Sequence, residues 1–449
     1  MKGKSAAVSF IDQLECPRTE LLFQESKPLY NEDQAVSEAS RCLFCYDAPC
    51  MQACPTHINV PLFIRQIMTK NVKGSAKTIL SSNIMGLSCA HICPVEVLCE
   101  GACVMNHEGK EAIHIGRLQR YSVQWAYDKQ MQFFTKGEST GKKVAVIGSG
   151  PAGLSCAAEL VQLGHDVVVY ESREIPGGLD SAAVAPYKLF SEDALKEISF
   201  IQKIGVEIKT GVSIGKDLSI SELEQKHDLI FIGIGLGRDS DLGIPGEDLS
   251  GCAGAVEWIE TIKRTNAFDP GTVRNAVVIG GGNTALDAAR ELKKLMVPKV
   301  TLIYRRTESE MSGYKHEKDR AAQEGIEFLF QTVPLEILGK NGKVEGMKLV
   351  KTKRENGKLT PVSGSEFSVS CDFVVKAAGQ EKLSELFSEV KNLTVKNGLI
   401  QVNPETLQTG SPKYFAAGDC VSGGEEVVYA VADGKKAAKA MHELLIKEK

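Results

Sequence analysis

The sequence lacks the features that mark membrane, secreted or nucleic-acid-binding proteins. No apolar run approaches the roughly 18 residues that a membrane-spanning helix needs, and residues 1–17 contain no apolar segment followed by a cleavage-site pattern. Lys and Arg (53) nearly balance Asp and Glu (57), so no excess of positive charge favours nucleic acid or a membrane surface. These absences predict a cytoplasmic protein that has no nucleic-acid partner and no membrane partner.

Groupings of residues that perform nucleophilic or acid–base catalysis are also missing. The eight histidines are scattered, aromatic residues make up only 6% of the chain, and no Ser-His-Asp arrangement or carboxylate cluster of metal-binding type stands out. We therefore assign no catalytic side chain.

Cysteine and glycine are plentiful, with 13 and 42 residues. Eight cysteines form two groups with the spacings C-x2-C-x4-C-x3-C and C-x3-C-x5-C-x3-C, at Cys42, Cys45, Cys50, Cys54, Cys89, Cys93, Cys99 and Cys103. A reducing cytosol keeps thiols reduced, which argues against disulfides. Structural zinc stays an alternative, although its sites usually contain two C-x2-C pairs. Iron–sulfur ligation fits the spacing best, and spacing alone would assign each group to one cluster.

The first glycine cluster follows a predicted strand at 144–147 and precedes a predicted helix. Gly148, Gly150 and Gly153 form G-x-G-x-x-G, in which the glycines permit a tight turn, the approach of a pyrophosphate and helix–strand packing. The pyrophosphate would lie at a helix N-terminus, where N–H groups point towards the anion. Glu171 ends the next predicted strand and is placed to accept hydrogen bonds from a ribose. The pattern predicts a dinucleotide site.

The same pattern of strand, glycine loop and helix recurs about 130 residues later, which indicates an internal repeat. Gly280, Gly282 and Ala285 give G-x-G-x-x-A after a strand at 276–279. Arg305 and Arg306 follow the second strand of this unit, where an acidic residue would bind a free 2′-hydroxyl, and a pair of arginines suits a 2′-phosphate. This favours NADPH. The alternative is that Glu308 and Glu310 engage the arginines instead.

The patterns divide the chain into three predicted parts. Apolar spacing predicts helices around Leu62, Ile64 and Ile67, from Ala76 to Leu80 and over 115–126, whereas residues 1–30 indicate a docking segment or an extended arm. The fold class is therefore α/β with an N-terminal α-helical iron–sulfur domain and two Rossmann-like domains. We place the iron–sulfur domain at 1–137, the first dinucleotide-binding domain at 138–270 plus 385–449, and the second at 271–384; the resemblance described next implies that the first binds FAD and the second NAD(P)H.

These motifs resemble those of the FAD- and NAD(P)H-binding iron–sulfur subunits in the glutamate synthase small chain group. The resemblance is strongest to the electron-input subunits of bacterial dihydropyrimidine dehydrogenases. It spans nearly the whole chain, and the segments that carry it are SRCLFCYDAPCMQACP, GLSCAHICPVEVLCEGAC, IHIGRLQR, VIGSGPAGL, VVIGGGNTALD and FAAGDC. Five residues separate Cys93 from Cys99 and Gln119 follows IGRL, whereas glutamate synthase small chains typically have a shorter spacing and a glutamate.

The resemblance implies two 4Fe–4S clusters whose ligands interleave. Cys42, Cys45, Cys50 and Cys103 would hold one cluster, and the other would be held by Cys54, Cys93, Cys99 and the side-chain amide of Gln119. Cys89 would then be a bystander, although spacing alone counts it among the ligands.

The resemblance also implies which residues bind the nucleotides. Those for FAD are Gly148, Gly150, Pro151, Ala152, Gly153, Glu171, Gly178, Leu179, Lys188, Gly418 and Asp419. Those for NAD(P)H are Gly281, Gly282, Asn283, Thr284, Arg305, Arg306, Ala378 and Gly379. Lys188 stands where the family has a flavin-contacting arginine, and Ser312 where some NADPH users have a basic residue. Because relatives include NADH users, the nucleotide stays open.

The expected function is that of an NAD(P)-dependent flavoprotein oxidoreductase. Electrons from NAD(P)H would pass through FAD and two 4Fe–4S clusters to an FMN-containing iron–sulfur catalytic subunit, which would reduce uracil or thymine reversibly in a hetero-oligomer. The alternatives are the small subunit of an NADPH-dependent glutamate synthase or a related reductase, and a non-catalytic scaffold that only binds partners.

Overall fold

The computed structural model describes residues 9–447, in which helices precede an alternation of strands and helices. The first six helices are α1 (Glu32–Ser40), α2 (Pro49–Gln52), α3 (Val60–Met68), α4 (Val72–Ser82), α5 (Gly86–Ile92) and α6 (Ile115–Asp128). The next elements are β1 (Lys143–Ile147), α7 (Pro151–Gln162), β2 (Asp166–Tyr170), α8 (Leu179–Ala182), α9 (Ser191–Ile204), β3 (Glu207–Lys209), α10 (Ile220–Lys226) and β4 (Leu229–Ile232).

A second alternation of strands and helices follows, and the chain then returns to the part that is formed by residues 143–232. Its elements are β5 (Cys252–Gly254), α11 (Ala255–Arg264), β6 (Asn275–Ile279), α12 (Asn283–Lys294), β7 (Lys299–Ile303), α13 (Lys315–Gln323) and β8 (Glu327–Leu329). The remaining elements are β9 (Thr332–Lys340), β10 (Lys343–Glu355), β11 (Lys358–Pro361), β12 (Phe367–Ser370), β13 (Phe373–Lys376), β14 (Val395–Lys396), β15 (Leu399–Ile400), β16 (Tyr414–Ala416), α14 (Asp419–Ser422) and α15 (Val427–Lys447).

Two parallel five-stranded sheets form the frame of the molecule. The first has the order β16-β4-β1-β2-β3 and the second β5-β13-β6-β7-β8, while β9 to β12 form an antiparallel sheet beside them. The repeat predicted from the glycine motifs therefore corresponds to two sheets of the same design. The predicted limit at residue 270 stays a prediction; β5, which it assigns to the first unit, pairs with β13 of the second sheet.

The N-terminal helices form because each places a narrow apolar face against its neighbours. Asn31 caps α1 and shares a capping box with Gln34, which satisfies backbone N–H groups that have no partner within the helix. In α3 the buried residues are Val60, Phe63, Ile64 and Ile67. Leu62, which we predicted on this face, is 41% exposed, because the buried stripe follows the i, i+3, i+4 spacing from Val60.

The segment before α1 runs along the first nucleotide-binding unit. Glu20 is fully buried and accepts hydrogen bonds from the backbone N–H and hydroxyl of Ser191 at 2.7 and 3.0 Å. The backbone N–H of Thr19 donates to Thr265 O at 3.0 Å. The predicted arm thus ties the helical part to both later parts, although residues 1–8 of that prediction lie outside the described residues. No described helix has the length and apolar character required to span a membrane.

Candidate functional site

The first glycine loop joins β1 to α7, and two of its glycines are required by the fold itself. Gly148 has a φ of +95°, and a methyl group there would lie 2.4 Å from Gly233 O. A methyl group at Gly153 would lie 2.1 Å from Gly148 O. The turn and the packing of α7 on the sheet therefore exclude any larger residue at either position.

The middle glycine of each loop has a different reason to be glycine. Gly150 and Gly282 have ordinary φ values of −68° and −91°. The nearest atom to a methyl group would be Gly233 O at 4.0 Å for Gly150 and Ser312 Oγ at 3.8 Å for Gly282. Neither the backbone nor the packing requires glycine at these positions. The missing side chain instead leaves free space at the N-terminus of the following helix. Both loops therefore fit a bound pyrophosphate.

Glu171 is held in place by the first glycine loop. One carboxylate oxygen accepts hydrogen bonds from the backbone N–H and the hydroxyl of Ser149 at 3.0 and 2.6 Å. The other accepts from the backbone N–H of Arg173 at 2.9 Å. The carboxylate is fixed in orientation at the end of β2, as a ribose-binding acid must be, and it keeps lone pairs for further donors.

A cavity of about 800 Å³ lies between the two sheets and extends to the cysteine-bearing helices. It brings together twelve of the predicted nucleotide-binding residues, namely Gly148, Gly150, Pro151, Ala152, Glu171, Gly178, Leu179, Lys188, Asn283, Thr284, Gly418 and Asp419. The other predicted residues are not part of its wall. Gly153 packs α7 on the sheet. The rest lie on the second unit, namely Gly281, Gly282, Arg305, Arg306, Ala378 and Gly379. The cavity is large enough for a dinucleotide.

Arg305 and Arg306 follow β7, and the neighbouring glutamates have other partners. Glu308 pairs with Lys318 at 2.8 Å, and Glu310 pairs with Arg354. Neither arginine forms an ion pair with any residue that the structure describes, and the Nε of Arg306 is buried without a hydrogen-bond partner. The alternative in which Glu308 and Glu310 pair with the two arginines is therefore wrong. The second unit offers positive charge where the ribose of a nucleotide would lie.

Lys188 lines the cavity, but carboxylates occupy its ammonium group. Its Nζ lies 2.6 Å from Asp287 Oδ1 and 2.9 Å from Glu317 Oε1. Burial works against its charge, yet the two carboxylates outweigh burial and raise the pKa of Lys188. The residue thus links the first unit to α12 and α13 of the second, and its assignment to the flavin stays a prediction.

Sequence reasoning missed several residues of this cavity. Tyr187 donates to Asp287 at 2.7 Å, and Tyr314 donates to Glu426 at 2.8 Å. Asp180 also lines the wall, with a fully buried carboxylate. None belongs to a recognisable motif. One signal in the sequence could have found them. Polar residues occur close to Lys188 and within helices whose other residues form an apolar face.

Four cysteines line one small apolar cavity in the helical part. They are Cys42, Cys45, Cys50 and Cys103, and their neighbours in the wall include Val60, Ile64 and Met105. Cys103 thus lies with the first cysteine group rather than with its sequence neighbours. Burial, followed by the neighbouring thiols of Cys42 and Cys103, raises the pKa of Cys50 to about 12. Such thiols become thiolates only when a metal supplies positive charge.

The other four cysteines of the two groups lie near one another, and one of them, Cys93, also lines the dinucleotide cavity. Cys54 and Cys93 pack against a cluster that contains Cys89 and Leu98. Burial raises the pKa of Cys99, with smaller contributions from Glu100, Cys93 and Cys54. The structure therefore brings together Cys54, Cys93 and Cys99, as the interleaved arrangement requires, and it places Cys89 beside them.

Gln119 is buried on α6, and its amide nitrogen donates to Gly86 O at 2.7 Å. This hydrogen bond fixes which end of the amide is the donor, so the oxygen is the atom left for a metal. Its role as a ligand stays a prediction.

The cysteine sites fit clusters better than single ions. Among the described residues, no three His, Cys, Asp or Glu side chains converge closely enough to hold one metal ion. Zinc would need four sulfurs within about 2.3 Å of one point. Four cysteines in the wall of one cavity are the number of ligands that a 4Fe–4S cluster takes.

Comparison with known families matches both parts of the chain. The family described as dihydropyrimidine dehydrogenase domain II, 4Fe-4S cluster, matches residues 18–131. The pyridine nucleotide-disulphide oxidoreductase family matches residues 142–434. The first match contains all eight grouped cysteines and Gln119, and the second contains both glycine loops.

Curated relatives resemble the chain over nearly its whole length. The NAD-dependent dihydropyrimidine dehydrogenase subunit PreT of Escherichia coli K12 is 35% identical over 94% of this chain and 97% of its own. The glutamate synthase [NADPH] small chain of the same organism is 33% identical over 93% of this chain and 92% of its own.

Solved structures support the fold of the nucleotide-binding part. FprA from Mycobacterium tuberculosis gives a TM-score of 0.55 at 22% identity, covering 68% of this chain and 84% of that one. Thioredoxin reductase from Lactococcus lactis gives a TM-score of 0.54 at 24% identity, covering 68% and 99%.

The matched families, the open glycine loops and the buried thiols agree on the cofactors. FAD and NAD(P)H are the cofactors of the two nucleotide-binding units, and 4Fe–4S is the cofactor of the helical part. The chain belongs to the pyridine nucleotide-disulphide oxidoreductase family, in the group that carries an N-terminal 4Fe–4S domain and includes the PreT subunits and the glutamate synthase small chains.

Proposed function

We propose that this chain is the electron-input subunit of a dihydropyrimidine dehydrogenase. It would take electrons from NAD(P)H and pass them through FAD and two 4Fe–4S clusters to a catalytic partner that contains FMN. The partner would reduce uracil or thymine, or carry out the reverse reaction. The printed name of the PreT relative, a subunit of an NAD-dependent dihydropyrimidine dehydrogenase, supports this proposal.

The position of Cys93 carries the electron-transfer part of the proposal. Cys93 lines the dinucleotide cavity together with Ile92 and Pro94, and it also packs in the cluster with Cys54. The Cys42 group lines a different cavity. A cluster at Cys54, Cys93 and Cys99 would therefore stand between the flavin and a cluster at the Cys42 group. A flavin accepts a hydride and releases electrons singly, which is the chemistry that such an arrangement requires.

The residues of the chain contribute binding and alignment. Glu171 and Asp419 would bind the ribose and ribityl hydroxyls of FAD, Gly150 and Gly282 would admit the pyrophosphates, and Arg305 and Arg306 would contact the adenosine side of the nicotinamide nucleotide. Because hydride transfer depends on the stacking of two rings, these contacts supply catalysis through position.

The second candidate function is that of the small subunit of a glutamate synthase. The 33% identity to the glutamate synthase small chain favours it almost as strongly. The five residues between Cys93 and Cys99 and the presence of Gln119 favour the dihydropyrimidine dehydrogenase.

One experiment separates the two candidates. The chain is purified without oxygen together with the product of the neighbouring gene. Oxidation of NADH and NADPH is then measured with uracil, with thymine, and with 2-oxoglutarate plus glutamine. Oxidation that depends on uracil or thymine supports the proposal. Oxidation that depends only on 2-oxoglutarate and glutamine contradicts it and assigns the chain to glutamate synthase.

A further inference from the structure

The N-terminal arm connects α6 to the first nucleotide-binding unit at residues 25–28. On one side, the backbone N–H of Ser26 donates to Tyr187 O at 2.8 Å. On the other side, the guanidinium of Arg120 donates to Lys27 O at 2.5 Å. The backbone of Lys27 is therefore held between two parts of the molecule, and its side chain starts from a fixed point.

The same helix fixes the arm at a second place. Arg117, which lies almost one turn before Arg120 on α6, donates to Pro28 O at 2.8 Å. Gln119, the predicted amide ligand, lies between the two arginines in the sequence. The helix that would offer this ligand thus also fixes the segment that carries Lys27.

The ammonium group of Lys27 lies on the backbone of a predicted cluster ligand. Its Nζ donates to Cys93 O at 3.4 Å, and both residues line the dinucleotide cavity. Among the described residues, no carboxylate lies within ion-pair distance of this ammonium group. The next two carboxylates after Cys93 in the sequence have other partners. Glu96 pairs with Arg320 at 2.9 Å. Glu100 accepts a hydrogen bond from a backbone N–H of α6 at 2.9 Å. The positive charge of Lys27 is therefore not cancelled by a contact.

Electrostatics predicts what such a charge does to a cluster. Reduction adds one electron, so the net charge of the cluster becomes more negative by one. A nearby positive charge stabilises the reduced form more than the oxidised form, and it therefore raises the reduction potential. Because Lys27 is partly exposed, water and salt screen part of its charge.

We propose that Lys27 raises the reduction potential of the cluster at Cys54, Cys93 and Cys99, and so favours the passage of an electron from the reduced flavin to this cluster. NAD(P)H supplies the electron through the flavin, the cluster gains it, and no bond forms or breaks at Lys27. The side chain touches no reacting atom and acts through its charge. The inference deepens the proposed function and rests on it for the cluster at these cysteines.

The test is a potentiometric titration of the FAD- and cluster-loaded protein without oxygen, nucleotide or electron acceptor. Electron paramagnetic resonance records the reduction of each cluster, and visible absorbance records the flavin. Lys27→Gln keeps an N–H donor for Cys93 O and removes only the charge. The equilibrium constant for reduction of one cluster should fall by about threefold to tenfold, and tenfold equals about 59 mV for one electron. Lys27→Arg keeps the charge and should keep the wild-type potential.

Two controls separate the position of the charge from its mere presence. The cluster at the Cys42 group is present in every sample and should keep its potential. Lys77→Gln removes a positive charge from an exposed position on α4 and should leave both clusters unchanged. Added salt should reduce the difference between wild type and Lys27→Gln, because salt screens a charge and not a change of packing. Equal shifts in the two variants, or a difference that salt does not alter, would overturn the proposal.

The remaining outcomes are also decisive. Wild-type potentials in Lys27→Gln overturn the proposal, and a shift that is larger for the flavin than for either cluster overturns it in favour of a flavin contact. If Lys27→Gln does not retain its clusters, Lys27→Ala takes its place, because the Val95 N–H still donates to Cys93 O at 2.8 Å. Wild-type protein without iron would contradict both the proposed function and this inference. Normal potentials without uracil- or thymine-dependent oxidation would contradict the proposed function alone.

Discussion

The two dinucleotide units share one backbone design and differ in what surrounds the end of the second strand. In the first unit Glu171 ends the segment and is held by Ser149. In the second unit Tyr304 stands at this place, and a methyl group at Gly281 would lie 2.3 Å from its ring. Arg305 and Arg306 follow without carboxylate partners among the described residues. The shared glycine loops fit a pyrophosphate, and we propose that the residues that differ select the rest of each nucleotide.

The largest effect should come from the first glycine of either loop. Gly148→Ala places a side chain at a φ of +95° and 2.4 Å from Gly233 O, and Gly280→Ala does the same at +154° and 2.3 Å from Ala377 O. Each should lower the free energy of unfolding by about 2–4 kcal/mol, measured by urea denaturation. Gly342→Ala is the control, since Gly342 has a φ of +76° with open space around it. Equal losses in all three would show that steric contact contributes nothing.

The second glycine should affect binding and leave folding intact. Gly150→Ala should reduce FAD affinity, and Gly282→Ala should reduce NAD(P)H affinity, each on the order of tenfold or more, because a methyl group enters the space of the pyrophosphate. Thermal unfolding of the FAD-free proteins should change little. Each variant is the control for the other, so loss of FAD in Gly282→Ala would contradict the assignment of the two units. Titration of each nucleotide measures the effect.

A smaller and more selective effect is expected at Arg305. Arg305→Glu should weaken NADPH binding about tenfold more than NADH binding, because only NADPH carries a 2′-phosphate. The measurement is the dissociation constant of each nucleotide, with the exposed Lys343→Glu as a control for a change of charge in the same part of the molecule. An equal loss for both nucleotides would show that Arg305 does not contact the phosphate.

The smallest effect concerns stability in acid. Behind the first sheet His165 Nε2 lies 2.9 Å from His442 Nδ1, and the described residues of the second unit contain no such pair. Burial and then His442 lower the pKa of His165 to about 4. Between this value and the ordinary pKa of about 6.5 the unfolded chain binds more protons, so stability falls as pH decreases from 6.5 to 4.

His165→Gln should reduce this acid sensitivity. The difference in Tm between pH 7 and pH 5 should be smaller in the variant than in the wild type, whereas the exposed His107→Gln should leave it unchanged. A variant that loses the same number of degrees as the wild type would show that the imidazole pair does not determine the acid response.

Much of the fold was predictable because its signals are local. The strand at 144–147, the helix after Gly153 and the C-terminal helix from Val427 were predicted and occur within three residues of the predicted limits. A short buried strand followed by glycines requires only neighbouring residues to specify it. The helices between the cysteine groups were predicted too, although the buried face of α3 was set by Val60 and Phe63 rather than by Leu62.

The site was less predictable where residues far apart in sequence meet. Lys188 was assigned to the flavin from resemblance, yet Asp287 and Glu317 bind its ammonium group across the domain boundary. No residue near Lys188 in the sequence indicates these partners. Ser88 and Glu197 also lie far apart in sequence, and only the packing of α5 on α9 brings the hydroxyl within 2.5 Å of the carboxylate.

The sequence alone determined the cofactor classes, because glycine spacing and cysteine spacing are local requirements of the turns that hold a pyrophosphate or an iron–sulfur cluster. Tertiary structure decided how the cysteines combine. Cys103 lines a cavity with Cys42, Cys45 and Cys50, and Cys54 lies with Cys93. Spacing cannot predict these groupings, because the helices between the two cysteine groups fold back and bring together cysteines that are distant in sequence. The same folding places Cys93 in the wall of the dinucleotide cavity, which is the position that the proposed electron path requires.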